Sequence, residues 1–295
     1  MIIIKVPGVN GLGKTKGTKD AADRICEKVD VSLELDDNSL EEQLERIAEQ
    51  AEALFSQEES VLFLGGDHSI SYPFTKAFFE KHPEGKLIVF DAHPDCMSSM
   101  KEPTHEEWLR AVVEAGFSGG NVLLIGARKI EPEEGKFLNL NGIRTISVDE
   151  VKFDLARTLR KIRSFIGSKG KNNSLNNNGK KLSEEGKDVD AGDVRKGASG
   201  KPAVYVSFDI DVFDSEIVKA TGYPESGGLN EEEVMKLLDV IFQEGDVKSC
   251  DLVEVNLGGG SSGDLSGKGN GLDFSEEDVE GTVGVARRVL GKLKK

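Results

Sequence analysis

LIVFDAHPD, residues 87–95, runs without interruption from four apolar residues into Asp91, His93 and Asp95. A half-exposed strand alternates apolar and polar side chains. An unbroken apolar run suits a strand buried on both faces, as in a parallel sheet covered by helices. Similar runs recur at 2–6, 61–65, 122–126, 143–148, 203–209 and 249–255. Helical patterns lie between them. In 40–56, Leu40, Leu44, Ile47, Ala51 and Leu54 fall three and four apart, and 231–243 repeats the spacing with Val234, Leu237, Leu238 and Ile241. Asn230 stands where an N-cap belongs, ahead of three glutamates that favour the positive end of a helix. This alternation predicts an α/β fold: an open parallel sheet with helices on both faces and right-handed crossovers. Such folds carry their chemistry at the carboxyl ends of the strands.

Three of those ends are polar. His68 follows the second run in LFLGGDHS (62–69), Asp91, His93 and Asp95 end the third, and Asp209, Asp211 and Asp214 close VSFDIDVFD (206–214). In extended backbone, residues two apart share a face. On that basis Asp91, His93 and Asp95 converge, as do Asp209 and Asp211, while Cys96 points away. DAHPD alone could be a polar turn, and D-x-D alone a capped loop. Carboxylates gathered this closely would drive one another to take up protons. A pair of divalent cations removes the conflict, and a mixed imidazole and carboxylate set suits manganese better than metals that favour thiolates. The chain has only four histidines; His68, His93 and His105 fall in or near this cluster, and His82, in EKHPEGK, reads as a surface residue.

In order, GGDHSIS, DAHPD, SFDIDVFD and EVN resemble the ureohydrolase family of arginases, agmatinases and their relatives, most closely in pattern the agmatinase-like members. The resemblance runs over residues 8–293, excepting 167–202. It implies a single three-layer α/β/α domain around a largely parallel eight-stranded sheet, of the arginase/deacetylase-like type. It also implies two manganese(II) ions. His68, Asp91, Asp95 and Asp209 would hold one and Asp91, His93, Asp209 and Asp211 the other. Glu254 would orient a guanidinium, and His105 would shuttle a proton to the leaving amine. TGYPESGGL (221–229) matches a further family segment. The implied activity is metal-dependent hydrolysis of a small cationic guanidino compound to urea and an amine, by a homo-oligomer, trimer or hexamer. Arginases place Asn two residues after the last aspartate of the DAHxD motif. Met97 stands there in this chain, which disfavours arginine and favours an agmatine-like substrate. Arginine or formimidoyl-glutamate hydrolysis, and a metal-binding paralogue without turnover, are the neighbouring alternatives. T-H-E-E around His105, Asp214-Ser215, Ala220 and NLGGGSSGD after Glu254 depart from the family pattern.

A rival of another class starts from GVNGLGKT (8–15), which fits G-x-x-x-x-G-K-[ST], the signature of a phosphate-cradling loop. That motif needs a helix beginning at its Lys-Thr. Here Lys16-Gly17 follow and the next helical pattern starts near Thr18, so the segment reads as a turn.

Bulk properties narrow the field further. The chain has 295 residues, 37% of them hydrophobic, and a formal net charge of −15. That balance argues against nucleic acid as a partner and is compatible with a cationic substrate. No run of eighteen apolar residues appears, so no membrane span is expected. MIIIKVPG lacks the pattern of a signal peptide. Three scattered cysteines suggest no disulfide framework and a reducing, cytoplasmic location. GSKGKNNSLNNNGKKLSEEGKDVDAGDVRKGASGKP (167–202) is almost devoid of apolar residues and is expected to be a flexible insertion. GGGSSGDLSGKGNG (258–271) reads as a second loop.

Overall fold

The computed structural model describes residues 1–10, 14–35, 39–56, 60–168, 200–258 and 272–294. The expected insertion at 167–202 lies outside them apart from 167–168 and 200–202, as does the loop 258–271 apart from Gly258. Among these residues one sheet has eight strands: β1 (Ile2–Lys5), β2 (Val31–Ser32), β3 (Val61–Leu64), β4 (Lys86–Phe90), β5 (Val122–Ile125), β6 (Arg144–Ile146), β7 (Ala203–Asp209) and β8 (Asp246–Val253). Their order is β2-β1-β3-β8-β7-β4-β5-β6, and every pairing is parallel. Sequence reading misses only β2, because its two residues are both exposed and carry no apolar run.

The helices are α1 (Ala21–Ile25), α2 (Leu40–Ser56), α3 (Ser71–Lys81), α4 (Trp108–Glu114), α5 (Pro132–Asn141), α6 (Val148–Phe153), α7 (Leu155–Gly167), α8 (Glu231–Glu244) and α9 (Glu276–Leu293). Strand residues alternate between two cores, which makes three layers. Val61, Phe63, Leu87 and Val89 meet α2 to α5 through Ile47, Phe55, Phe74, Phe78, Trp108 and Leu138. Leu62, Leu64, Ile88 and Phe90 meet the opposite layer through Ile25, Ile162, Phe165, Leu237, Ile241 and Val289. The central strands β3 and β4 are therefore buried along their whole length, because both of their faces are covered.

In α8 the expected stripe of Val234, Leu237, Leu238 and Ile241 is buried. Asn230 caps it: the side chain accepts from the Glu233 N–H at 2.9 Å, and Glu233 reciprocates. In α2 the buried face differs from expectation. It runs through Gln43, Ile47, Ala51 and Phe55, and Leu40 is exposed. Phe55 decides the rotation, because its ring packs edge-on against Phe78 of α3 at 6.1 Å. No helix among the described residues is long and apolar enough to cross a membrane.

Candidate functional site

The four central strands β3, β8, β7 and β4 are neighbours and parallel, so their carboxyl ends form one continuous rim. After β3 the chain turns through Gly65 (φ +91°) and Gly66 (φ +81°). A Cβ on Gly66 would lie 2.6 Å from the Gly8 carbonyl oxygen, so only glycine lets the loop after β1 pass. Asp67 then accepts from Ser69 N–H and starts the 3-10 turn His68–Ile70 that leads into α3. After β4 come Asp91, His93 and Asp95; after β7, Asp209 and the 3-10 turn Ile210–Val212; after β8, Glu254.

The structure brings together every ligand residue expected from the sequence. His68 Nδ1 lies 3.0 Å from Asp91 Oδ2, 3.0 Å from Asp95 Oδ2 and 3.2 Å from Asp209 Oδ2. His93 Nδ1 lies 2.8 Å from Asp211 Oδ2 and 3.6 Å from Asp91 Oδ1. Two groups able to hold a metal result, His68/Asp91/Asp95 and Asp91/His93/Asp211, sharing Asp91.

The route to convergence differs from the expected strand alternation, and this is a correction. Neither DAHPD nor DID is extended. Asp95 takes a left-handed conformation (φ +50°), and the Asp91 carboxylate turns back to accept the His93 N–H at 2.6 Å. Asp209 likewise accepts the Asp211 N–H at 2.7 Å and begins a 3-10 turn. Short Asx turns, whose side chains satisfy the backbone two residues on, aim these carboxylates.

The surroundings hold these side chains in place. Trp108, wholly buried on α4, donates Nε1–H to Asp95 Oδ2 at 2.8 Å, and the Ala92 N–H donates to Asp211 Oδ1 at 2.9 Å. His68 Nε2 is 2.9 Å from Ser207 Oγ, which donates to Asp251 Oδ1 at 2.8 Å. Asp251 is fully buried and also accepts from Ser71, Tyr205 and the Phe208 N–H. Sequence reasoning passes over Trp108, Ser207 and Asp251, which sit inside apolar runs or helices with no local signal.

A metal fits this donor set. His68 Nδ1 and Asp91 Oδ2 are buried and close, yet neither has a hydrogen-bond partner. Buried polar atoms this close, without a well-formed hydrogen bond, are placed to share a cation. The charges agree. Burial alone would lower the His68 imidazole, but the Asp209, Asp91 and Asp95 carboxylates outweigh it and raise it well above its ordinary value. Burial likewise opposes the charge on His93, and Asp211 and Asp91 overcome it in the same direction. Burial, then the Asp91 charge, push Asp95 up to about 8. Burial with Asp211 and Asp91 pushes Asp209 well above the usual carboxylate range. Asp91 resists the burial effect through its two imidazole neighbours and stays low. The metal-free cluster thus holds protons where a cation would otherwise supply positive charge.

Above the cluster opens a cavity of about 230 Å³ lined by His68, His93, Asp209, Asp211, His105 and Glu254, among others. Glu254 (φ +65°) accepts the His68 N–H on Oε1 at 2.9 Å, while Oε2 is buried without a partner. Burial, with the Asp209 and Asp67 charges, raises its carboxyl well above the ordinary value. His105 is buried, neither ring nitrogen has a hydrogen-bond partner, Nε2 lies 3.9 Å from Glu106 Oε1, and the ring stacks on Tyr223 at 5.3 Å. Met97, Tyr223, Glu106, Glu225 and Lys129 complete the wall toward solvent. His82 ends α3, away from this cavity, half-buried against Phe78.

The phosphate-loop alternative fails on geometry. Lys16–Thr18 forms only a 3-10 turn, and the next helix, α1, has five residues and starts at Ala21. Thr15 Oγ1 donates to Asp67 Oδ2 at 2.9 Å, and Lys14 lies over the Tyr223 ring at 4.5 Å. Residues 11–13 of the motif lie outside the described residues; of its other donors, the Asn10 N–H and Thr15 Oγ1 both donate to the Asp67 carboxylate, which would repel a phosphate.

Comparison with known proteins finds relatives of this chain. The profile of the Arginase family matches residues 10–174 and 180–258. An agmatinase from Bacillus subtilis (strain 168) is 28% identical over 215 residues, covering 72% of this chain and 61% of that protein. A guanidinobutyrase from Pseudomonas aeruginosa is 29% identical over 232 residues, covering 77% and 62%. Among solved structures, the formimidoylglutamase of Bacillus subtilis superposes with a TM-score of 0.74 at 18% identity, covering 99% of this chain and 85% of that one. The chain spans 54% to 61% of the length of the agmatinases it matches.

Proposed function

The chain belongs to the arginase family, and on that premise we propose that it hydrolyses a small cationic guanidino compound, agmatine-like, to urea and an amine at a dinuclear manganese centre. The observation that carries this reading is Glu254 Oε2, a buried carboxylate oxygen left unpaired beside the His/Asp cluster, in a residue that lines the cavity. His68, Asp91, Asp95 and Asp209 would hold one ion, and Asp91, His93, Asp209 and Asp211 the other. Bound there, the ions supply the Lewis acidity that makes water nucleophilic near neutral pH.

The chain's own residues do the rest. Glu254 is anchored through Oε1 by the His68 N–H, so Oε2 is free to take a guanidinium N–H in a charge-assisted hydrogen bond. That contact fixes the planar cation against the cluster and orients its central carbon. As the bond from that carbon to the substituted nitrogen breaks, the departing amine needs a proton. His105, neither of whose ring nitrogens is held by a hydrogen bond, would deliver it from one of them. Water adds oxygen to the carbon, the two unsubstituted nitrogens leave as urea, and the amine leaves protonated.

The rim of the cavity supports a cationic tail. Glu106 and Glu225 present half-buried carboxylates, while the nearby Lys129 ammonium lies 4.0 Å from Glu131. An ammonium at the far end of an alkylguanidine meets net negative charge there, whereas a carboxylate tail would be repelled. Urea release from agmatine, 4-guanidinobutyrate and arginine, and formamide release from formimidoyl-glutamate, with manganese added, test the proposal. Agmatine should give the highest kcat/KM; no urea from any of them would contradict it.

A further inference from the structure

Arg128 stands just beyond β5, half-buried, and its guanidinium donates only to main-chain carbonyls. Nη2 reaches Asp211 O at 3.0 Å, Phe213 O at 3.0 Å and Glu225 O at 2.7 Å. Nε reaches Ser226 O at 3.0 Å, and Nη1 reaches Gly126 O and Val212 O at 3.3 and 3.4 Å. Among the described residues it forms no ion pair with a carboxylate. A buried guanidinium usually takes one bidentate acid. Here its rigid fork is spent on the backbones of two loops, 211–213 and 225–226.

Two closed circuits follow from these contacts. In the first, the Arg128 N–H donates to Ala92 O at 2.9 Å, the Ala92 N–H donates to Asp211 Oδ1 at 2.9 Å, and Arg128 Nη2 returns to Asp211 O. In the second, Arg128 holds Glu225 O, and Glu225 Oε1 lies 3.7 Å from His93 Nε2, on the side of the ring away from Asp211. Both circuits end on the Asp91/His93/Asp211 group. None of these contacts reaches His68 or Asp95, which are fixed instead through Ser207 and Trp108.

We propose that Arg128 is a positioning residue that sets the His93–Asp211 half of the metal centre, together with the Glu225 wall of the cavity, independently of the His68–Asp95 half. The inference rests on the dinuclear reading above. The geometry of a fork matters more than its charge, because three separate carbonyls converge on one planar nitrogen. A lysine keeps the charge but offers a single point with three donors.

The test is titration of the metal-free chain with manganese(II), wild type against Arg128→Lys, following free and bound ion by electron paramagnetic resonance. The wild type should take up two ions and develop the spectrum of a spin-coupled pair. The variant should bind one ion within about twofold of the wild-type affinity and the other about 10- to 100-fold more weakly, the range expected when an outer partner of a ligand is lost. The coupled spectrum should then be missing at concentrations that saturate the wild type. Both ions weakened alike, or neither, overturns the proposal, since a purely structural clasp would not select one ion. A wild type that binds fewer than two ions instead overturns the dinuclear reading itself. Should Arg128→Lys not fold, hydrogen exchange on the wild type decides. Segments 209–214 and 225–229 should gain protection at the same manganese concentration, and protection at separate concentrations overturns the proposal.

Discussion

Ser207 Oγ lies 2.9 Å from His68 Nε2, and this hydroxyl settles which ring nitrogen is left for an ion. Ser207 gives its one proton to Asp251 Oδ1 at 2.8 Å, so it can only accept from His68. The imidazole must then keep a proton on Nε2, which leaves Nδ1, facing Asp91, Asp95 and Asp209, as the nitrogen that would give up its proton to an ion. Ser207→Ala should weaken manganese binding about 10- to 100-fold, read by titration with elemental analysis. Metal-free stability should fall by about 1–3 kcal/mol, because His68 and Asp251 each lose a buried partner. Unchanged metal affinity would remove Ser207 from this role.

Protons and cations compete for the cluster, which gives a signed pH dependence. In the unfolded chain Asp95 titrates near its ordinary value, roughly 4. In the metal-free fold, burial and the Asp91 charge raise it to about 8. Between these values the folded state binds a proton that the unfolded state lacks, so metal-free stability falls as pH rises through that window. His68 and His93, both raised, act in the same direction above about 6.5. Asp91, held low, does not change in this window. Manganese requires those protons to leave, so its stabilising effect should grow with pH. Thermal melts at pH 6 and pH 8.5, with and without a fixed manganese concentration, should show the larger rise in Tm at pH 8.5. An equal rise at both would show that the metal does not compete for these protons.

Glu254→Gln keeps the size of the side chain and an oxygen for the His68 N–H, but removes the charge offered to the guanidinium. Loss of one charge-assisted contact, about 1.5–3 kcal/mol, should reduce kcat/KM by about 10- to 150-fold while bound metal stays at the wild-type level. A variant with full kcat/KM would place guanidinium recognition elsewhere in the cavity.

His105→Asn should lower kcat about 100-fold or more, the usual share of a positioned proton donor, with metal content unchanged. The effect should shrink for substrates whose departing amine has a lower pKa, because such an amine needs less help in taking a proton. If kcat is unaffected by the substitution, the proton comes from another group.

Much of this was legible in the chain. Apolar runs without alternation marked the buried parallel strands, and polar residues at their ends marked the side chains that converge. What escaped was geometry carried by contacts across long sequence distances. Ser207 and Asp251 are directly opposed in the β7–β8 register, yet 44 residues separate them and neither looks unusual in its own strand. Arg128 follows a strand as an ordinary charged residue, and only the folded loops show six carbonyls around it. Asp95 carries no sequence mark of a left-handed backbone, so strand alternation suggested the right neighbours through the wrong conformation. The rotation of α2 had a similar cause, since the stripe it buries was chosen by Phe78 on another helix.

The central claim is that the carboxylates and imidazoles at the ends of β3, β4 and β7 hold two ions that make water reactive. Elemental analysis of the chain after manganese loading and removal of unbound metal tests it most directly. Two manganese ions per chain are expected, falling together with urea release when a chelator is applied. A chain that retains no ion under these conditions, or that releases urea undiminished without one, would contradict it.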